Sequence, residues 1–259
     1  MIITYKGIKI NYNTSGKGTP VVFLHGFLEN STMWEETIDH ISSTYHCISI
    51  DLLGHGLTEC MGYIHTMEDM AQAIKVVLDD LNISKASFVG HSMGGYVALA
   101  YVDLFPNIVS GLVLLNSTSF PDSIERKQNR SRAIEIVKNN PDAYTSMAIA
   151  NLFAEENRLR LADKINMIKD QASKISLQGI ISGLEGMKVR KDHTSLLSSF
   201  NKPKIIFAGT KDPILLYDQS IKESKQCNIN LVSFDGGHMS YLENKDEYIE
   251  KLHLFLGSF

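Results

Sequence analysis

Apolar and polar positions along this chain follow two rhythms. Over residues 2–6 and 8–13 they alternate singly on either side of Lys6-Gly7, which predicts a small antiparallel hairpin. Val21–Leu24, Cys47–Ile50, Ser87–Val89, Leu112–Leu115, Ile205–Ala208 and Leu231–Phe234 are instead short, nearly continuous apolar runs. Runs of that length with little alternation suit strands buried on both faces, as in a parallel sheet. Helical spacing fills the gaps. Residues 67–81 line up Met67, Met70, Ala71, Ile74, Val77, Leu78 and Leu81 on one stripe, with Thr66 and Asp69 spaced as a capping box. Further helices are predicted over about 93–104, ending before Phe105-Pro106, and over about 245–256. Strand alternating with helix predicts an open α/β sheet with helices on both faces. Between about 120 and 200 the rhythm breaks: helical spacing persists and no convincing strand occurs. The chain thus divides into an α/β core, 1–119 with 201–259, and a helical insertion, 120–200.

Composition narrows the partners. The chain has 259 residues, 44% hydrophobic and 21% charged, with a net charge of −4. No basic surplus favours nucleic acid. The insertion alone is basic, with 13 Lys and Arg against 10 Asp and Glu; most of these solvate helix faces. Cys47, Cys60 and Cys227 are odd in number and widely spaced, as expected of a reducing, cytoplasmic compartment. No C-x-x-C pair points to a zinc ribbon or dithiol site. The opening MIITYKGIKINYN alternates and does not look like a signal peptide. No run of about 18 apolar residues exists, so neither a membrane-spanning helix nor a membrane partner is expected.

The strongest local signal is Gly90-His91-Ser92-Met93-Gly94-Gly95, which follows one predicted strand and opens a predicted helix. That is the strand-turn-helix setting of a G-x-S-x-G nucleophile elbow. A serine on so sharp a turn is strained, its flanking glycines let strand and helix approach, and its oxygen stands at a helix N-terminus that favours negative charge. Three other segments also sit at predicted strand ends: His25-Gly26-Phe27, Asp212 within Gly209–Pro213, and His238 within Asp235–Met239. Functional groups of open parallel sheets gather at the carboxyl ends of strands. Taken singly, Ser92 reads as an N-cap, Asp212 as a turn aspartate and His238 as a loop histidine. Together, in the order Ser, Asp, His, they read as a triad.

With these motifs, and with Asp51-Leu52-Leu53-Gly54-His55-Gly56-Leu57-Thr58, which is similar to a D-x-x-G-H-G-x-S loop, the chain resembles the α/β-hydrolase superfamily. The resemblance spans nearly the whole chain and is weakest over 120–200. It implies a mostly parallel eight-stranded sheet flanked by helices, with a helical cap after the sixth strand where the insertion lies. Ser92 is then the nucleophile, His238 the base near neutrality, and Asp212 the acid that orients it. Asp235 and Asp122 are rival acids; substitution of Asp122 is expected to be nearly silent, and of Asp235 to act through stability. The oxyanion hole is expected from the backbone N–H groups of Phe27 and Met93, with their side chains free to line the pocket. His25 and His55 read as loop braces and Trp34 as packing. Nine histidines contain no H-E-x-x-H, and no phosphate loop occurs, so no metal and no cofactor are expected.

The expected function is a serine hydrolase, a carboxylesterase, cleaving a small-molecule ester through an acyl-enzyme. Met147, Ile149, Leu152, Phe153, Met167, Ile168 and Met187 offer an adaptable apolar pocket in the cap. Ser92 argues against a dehalogenase, whose nucleophile is aspartate. Carbon–carbon bond hydrolases and perhydrolases share the triad. The menaquinone-pathway synthase branch holds an anionic substrate with an arginine soon after the elbow; here Tyr96 follows Gly94-Gly95, while the cap carries Arg126, Arg130 and Arg132. An acyl-carrier protein suits a basic cap, and a non-enzymatic ligand sensor is a further alternative. Monomer and homodimer are both left open.

Overall fold

The computed structural model describes residues 1–259. Its strands are β1 (Ile2–Tyr5), β2 (Ile8–Ser15), β3 (Thr19–Leu24), β4 (Tyr45–Ile50), β5 (Ala86–His91), β6 (Val109–Leu115), β7 (Lys204–Gly209) and β8 (Asn230–Phe234). They form one sheet in the order β1-β2-β4-β3-β5-β6-β7-β8. β2 is antiparallel to both β1 and β4; every other pairing is parallel. The hairpin turns at Lys6 and Gly7, with φ of 48° and 85°. Every predicted run forms a strand, most of them extended by a residue or more at an end. Val21–Leu24, Phe88, Val89 and Leu112–Leu115 are fully buried, as covering on both faces requires.

The helices are α1 (Glu35–Ile41), α2 (Met67–Asp80), α3 (Met93–Leu104), α4 (Ile124–Asn139), α5 (Pro141–Ala150), α6 (Ala162–Ala172), α7 (Leu177–Lys188), α8 (Thr194–Ser199), α9 (Tyr217–Cys227), α10 (Ser240–Glu243) and α11 (Lys245–Leu256). The Thr66 hydroxyl accepts from the Asp69 N–H, capping α2 as its spacing predicts. α4 to α8 all lie between β6 and β7. α1 and α9 were not evident from apolar spacing: each is short and carries few apolar residues. No helix is long and apolar enough to cross a membrane. Cys47, Cys60 and Cys227 are free thiols.

The chain lays β4 on one side of β3 and then crosses to place β5 on the other. That reversal makes a topological switch point at the carboxyl ends of β3 and β5. In register, Gly90 pairs with Leu24 on one side and with Leu114 on the other. The segments that follow β3, β5, β6, β7 and β8 therefore emerge along one edge of the sheet.

Candidate active site

Ser92 has φ of 49° and ψ of −113° between β5 and α3. A side-chain-bearing residue reaches that region only when its surroundings impose it. A Cβ on Gly90 would strike the Gly94 backbone, and one on Gly94 would strike the Leu24 carbonyl. Both glycines are thus required by close approach of strand and helix.

The edge brings the three predicted residues together. His238 Nε2 lies 2.8 Å from Ser92 Oγ, and its Nδ1 lies 2.7 Å from Asp212 Oδ2. A carboxylate only accepts, so Nδ1 carries the proton and Nε2 presents its lone pair to the serine hydroxyl. Asp212 is saturated: Oδ1 accepts from the Ile214 and Leu215 N–H groups at 2.8 and 2.9 Å, and Oδ2 also accepts from Asn116 Nδ2 at 3.1 Å. Burial alone would push its carboxyl up, but the His238 ring and these N–H donors together hold it below the usual range. The rivals are elsewhere. Asp235 is exposed and paired with Lys211 at 2.8 Å, and Asp122 is buried among arginines.

Phe27 is in the loop after β3, and its N–H meets no backbone carbonyl. Met93 is the first residue of α3, where N–H groups lack intrahelical partners. The two side chains differ. Phe27 borders the cavity over Ser92 and meets the His55 ring edge-on at 5.8 Å. Met93 is fully buried in the core and lines nothing, because α3 turns it away from the edge.

Several functional contacts were not anticipated. His91, inside the elbow, has two acceptors: Glu29 Oε2 at 2.7 Å from Nδ1, and the His238 carbonyl at 2.9 Å from Nε2. Both ring nitrogens must donate, so His91 is an imidazolium paired with a buried Glu29 carboxylate. Burial opposes that charge on the ring, yet Glu29 and the His238 carbonyl keep it raised above the usual histidine range. Glu29 also accepts from the Gly26 N–H at 2.9 Å and from the Tyr241 hydroxyl at 3.0 Å. One ion pair thereby ties the loop carrying Phe27 to the elbow and to the His238 backbone. Asn116, just past β6, bridges Asp212 and the Gly237 carbonyl. Glu243 accepts from the Gly237, Met239 and Ala154 N–H groups, and the His238 N–H donates to the Leu152 carbonyl at 2.8 Å. The His238 loop is thus clamped to the segment after α5. Only Asn116 had a signal in sequence, its place at a strand end.

The expected braces hold. His25 Nδ1 donates to the Gly26 carbonyl and Nε2 accepts from the Leu52 N–H, at 2.7 and 2.9 Å. His55 donates to the Leu53 carbonyl at 3.0 Å, and Trp34 packs against Phe23 and Tyr241. Burial holds His55 down to about 3 and also lowers His25. Both rings are neutral when folded but bind protons when unfolded below about pH 6.5, so stability rises with pH through that window. For His55 the expected cost below that pH is about 1.4 kcal/mol per pH unit, and His25 adds to it in the same direction. Below about pH 6.5 His91 is protonated both folded and unfolded and adds no slope, so Tm is expected to fall from about pH 6.5 to about 5.5, with net proton uptake on unfolding. Calorimetry in two buffers of different ionisation enthalpy checks this; a flat Tm contradicts it.

A cavity of about 270 Å³ opens over Ser92 and His238. Of the predicted pocket residues, Met147, Leu152 and Met187 line it. Ile149 and Phe153 are fully buried instead, and Met167 and Ile168 line a separate cleft beside Met33 and Lys164. Arg126 and Arg130 line the Ser92 cavity, whereas Arg132 is exposed and bonds Asn129. No three His, Cys, Asp or Glu side chains are grouped so as to hold a metal ion.

Comparison with known proteins agrees with this layout. A 3-oxoadipate enol-lactonase 1 from Acinetobacter baylyi is 23% identical over 98% of this chain and 94% of its own length. An esterase from Thermogutta terrifontis, solved with malate bound, is 26% identical, covers 98% of this chain and 96% of that one, and superposes with a TM-score of 0.91. The enol-lactonase from Burkholderia xenovorans LB400 superposes at 0.92 over the full length of both chains with 20% identity, a likeness of fold. The family profile described as alpha/beta hydrolase fold matches residues 19–245, which include the elbow, the Asp212 turn and the His238 loop. With that match spanning all but the first strands and the last helix, the chain belongs to the alpha/beta hydrolase fold family.

Proposed function

We propose that this protein is a serine hydrolase that cleaves small carboxylic esters through an acyl-enzyme. The observation that carries the reading is the line Ser92 Oγ, His238 Nε2, His238 Nδ1, Asp212 Oδ2, with spacings of 2.8 and 2.7 Å. Ser92 is a weak nucleophile until a base takes its proton. His238 Nε2 takes it as Ser92 Oγ bonds to the carbonyl carbon. The resulting oxyanion is met by the N–H groups of Phe27 and Met93, each worth about 3–4 kcal/mol of barrier. His238 then returns the proton to the leaving alcohol. Water, deprotonated by the same nitrogen, splits the acyl-enzyme and frees the acid. Asp212 keeps Nδ1 protonated and stabilises the imidazolium at each step.

The names of the relatives support this reading, since a lactone is a cyclic ester and both esterase and lactonase cleave an acyl C–O bond. In the same reading 120–200 acts as the cap that shapes the cavity and limits water. The free thiols support a reducing, cytoplasmic setting. The test is labelling by a fluorophosphonate together with turnover of 4-nitrophenyl butyrate. One label per chain, located at Ser92 by peptide mass, is expected with steady hydrolysis. Label elsewhere, or binding of esters without turnover, would instead favour a ligand sensor.

A further inference from the structure

We propose that the Ser92 cavity takes an ester or lactone that also bears a carboxylate, seated on Arg126 and Arg130; this rests on the hydrolase reading above. Ser123 caps α4, so Arg126 lies in its first turn, and Arg130, four residues on, shares its face. Both line the cavity that holds Ser92 and His238.

Three guanidinium groups converge there on one carboxylate. Asp122, with no exposed side-chain surface, is met by Arg130 Nε at 2.5 Å, Arg190 Nη1 at 2.5 Å and Arg126 Nε at 3.3 Å. The cluster therefore carries two unneutralised positive charges. Arg190 is sealed from the cavity: it also donates to the Met187 and Phe120 carbonyls and lies 4.0 Å over the Tyr96 ring. The surplus thus falls on Arg126 and Arg130, whose side chains are 30% and 14% exposed. Of five N–H donors each, Arg126 gives one to the Ile214 carbonyl and turns its Nε–H toward Asp122, and Arg130 gives two to Asp122. Several donors of a planar fork remain for an anion, in a wall that buried Asp122 holds rigid.

No other charge in the cavity offsets this. The one carboxylate lining it, Glu29, is committed to His91, Gly26 and Tyr241. The remaining wall is largely apolar, with Met147, Leu152, Leu184 and Met187. A neutral apolar ester gains nothing from two guanidinium groups, whereas a short apolar spacer ending in a carboxylate matches both surfaces.

The experiment compares charged and capped substrates on the wild-type protein. On the acyl side, mono-4-nitrophenyl glutarate is set against its methyl ester; on the alcohol side, 4-acetoxybenzoate against its methyl ester. Expected is a kcat/KM preference of about 10- to 100-fold for the charged member of at least one pair, the range for hydrogen bonds to a charged group. The preference should shrink between about 0.05 and about 0.5 M salt. Arg126→Gln should collapse the charged-to-capped ratio, and Arg126→Lys should restore part of it. Arg126 is chosen because Arg130 is the main partner of buried Asp122, and Tm reports folding in each variant. Equal rates within both pairs would overturn the proposal while leaving the hydrolase reading intact; no hydrolysis of any ester would overturn that reading instead. The seat is also read without turnover, as a Tm rise of the Ser92→Ala protein in glutarate that is lost with Arg126→Gln. No rise, or a larger rise with inorganic phosphate, would overturn the assignment to a carboxylate.

Discussion

Ser92→Ala is expected to lower kcat on an activated ester by about five to six orders of magnitude, the scale on which a triad loses its nucleophile. The loss is chemical. Ser92 Oγ is bonded only to His238 Nε2 among the side chains around it, so alanine removes one hydrogen bond and no packing. The backbone strain at φ of 49° is unchanged, because alanine keeps the Cβ that makes this region unfavourable. Tm should therefore move by no more than a few degrees, as expected for about 1 kcal/mol in a chain of this size. Phe27 and Met93 N–H groups survive, so residual rate above water is expected from the oxyanion site alone. Single-turnover kinetics on 4-nitrophenyl butyrate, with fluorophosphonate labelling alongside, measure both. A variant retaining a tenth of wild-type turnover would remove Ser92 from the chemistry.

What could be read from sequence divides by how local its cause is. Central strands were legible because full burial demands unbroken apolar runs, and Ser92 was legible because its strain needs glycines two residues away on each side. His238 and Asp212 were legible as strand-end residues, since a parallel sheet delivers every such end to one edge. Contacts made by buried polar groups across long separations were not. Glu29 and His91 lie 62 positions apart and Asn116 and Asp212 lie 96 apart, with no spacing rule to join them. The insertion illustrates the same limit. Its helices were expected, but which face of each one meets the cavity depends on packing. Met147 and Ile149 are two residues apart on α5, yet one reaches the cavity and the other the core. Arg126 and Arg130 share a face that Arg132 does not, a distinction legible from helical period alone once α4 has been located.

Asp212→Asn is the sharper test, because it keeps the shape of the site and changes only which atoms carry protons. Oδ2 of Asp212 accepts from two donors, His238 Nδ1 and Asn116 Nδ2. An amide NH₂ in that place would face both donors. Rotating the amide only moves the conflict to the Ile214 and Leu215 N–H groups, which now donate to Oδ1. The ring resolves the conflict by leaving Nδ1 bare and putting its proton on Nε2, the nitrogen that takes the proton of Ser92 in the proposed mechanism. Turnover is then expected to fall by about four orders of magnitude. The two rival acids are controls, and the structure reverses what their sequence positions implied about stability. Asp235 is exposed and pairs with Lys211, so Asp235→Asn should leave turnover and Tm near wild type rather than act through stability. Asp122 is the one carboxylate among Arg126, Arg130 and Arg190, so Asp122→Asn is not silent: it strands buried charge at a cost of about 3 kcal/mol or more. Its Tm should drop by several degrees while turnover of a neutral ester, assayed well below that Tm, falls far less than in Asp212→Asn. Turnover on 4-nitrophenyl butyrate and Tm for all three variants decide the matter. A collapse in Asp122→Asn with Asp212→Asn still active would move the acid to the end of β6 and leave the 2.7 Å contact between Asp212 and His238 without a catalytic role.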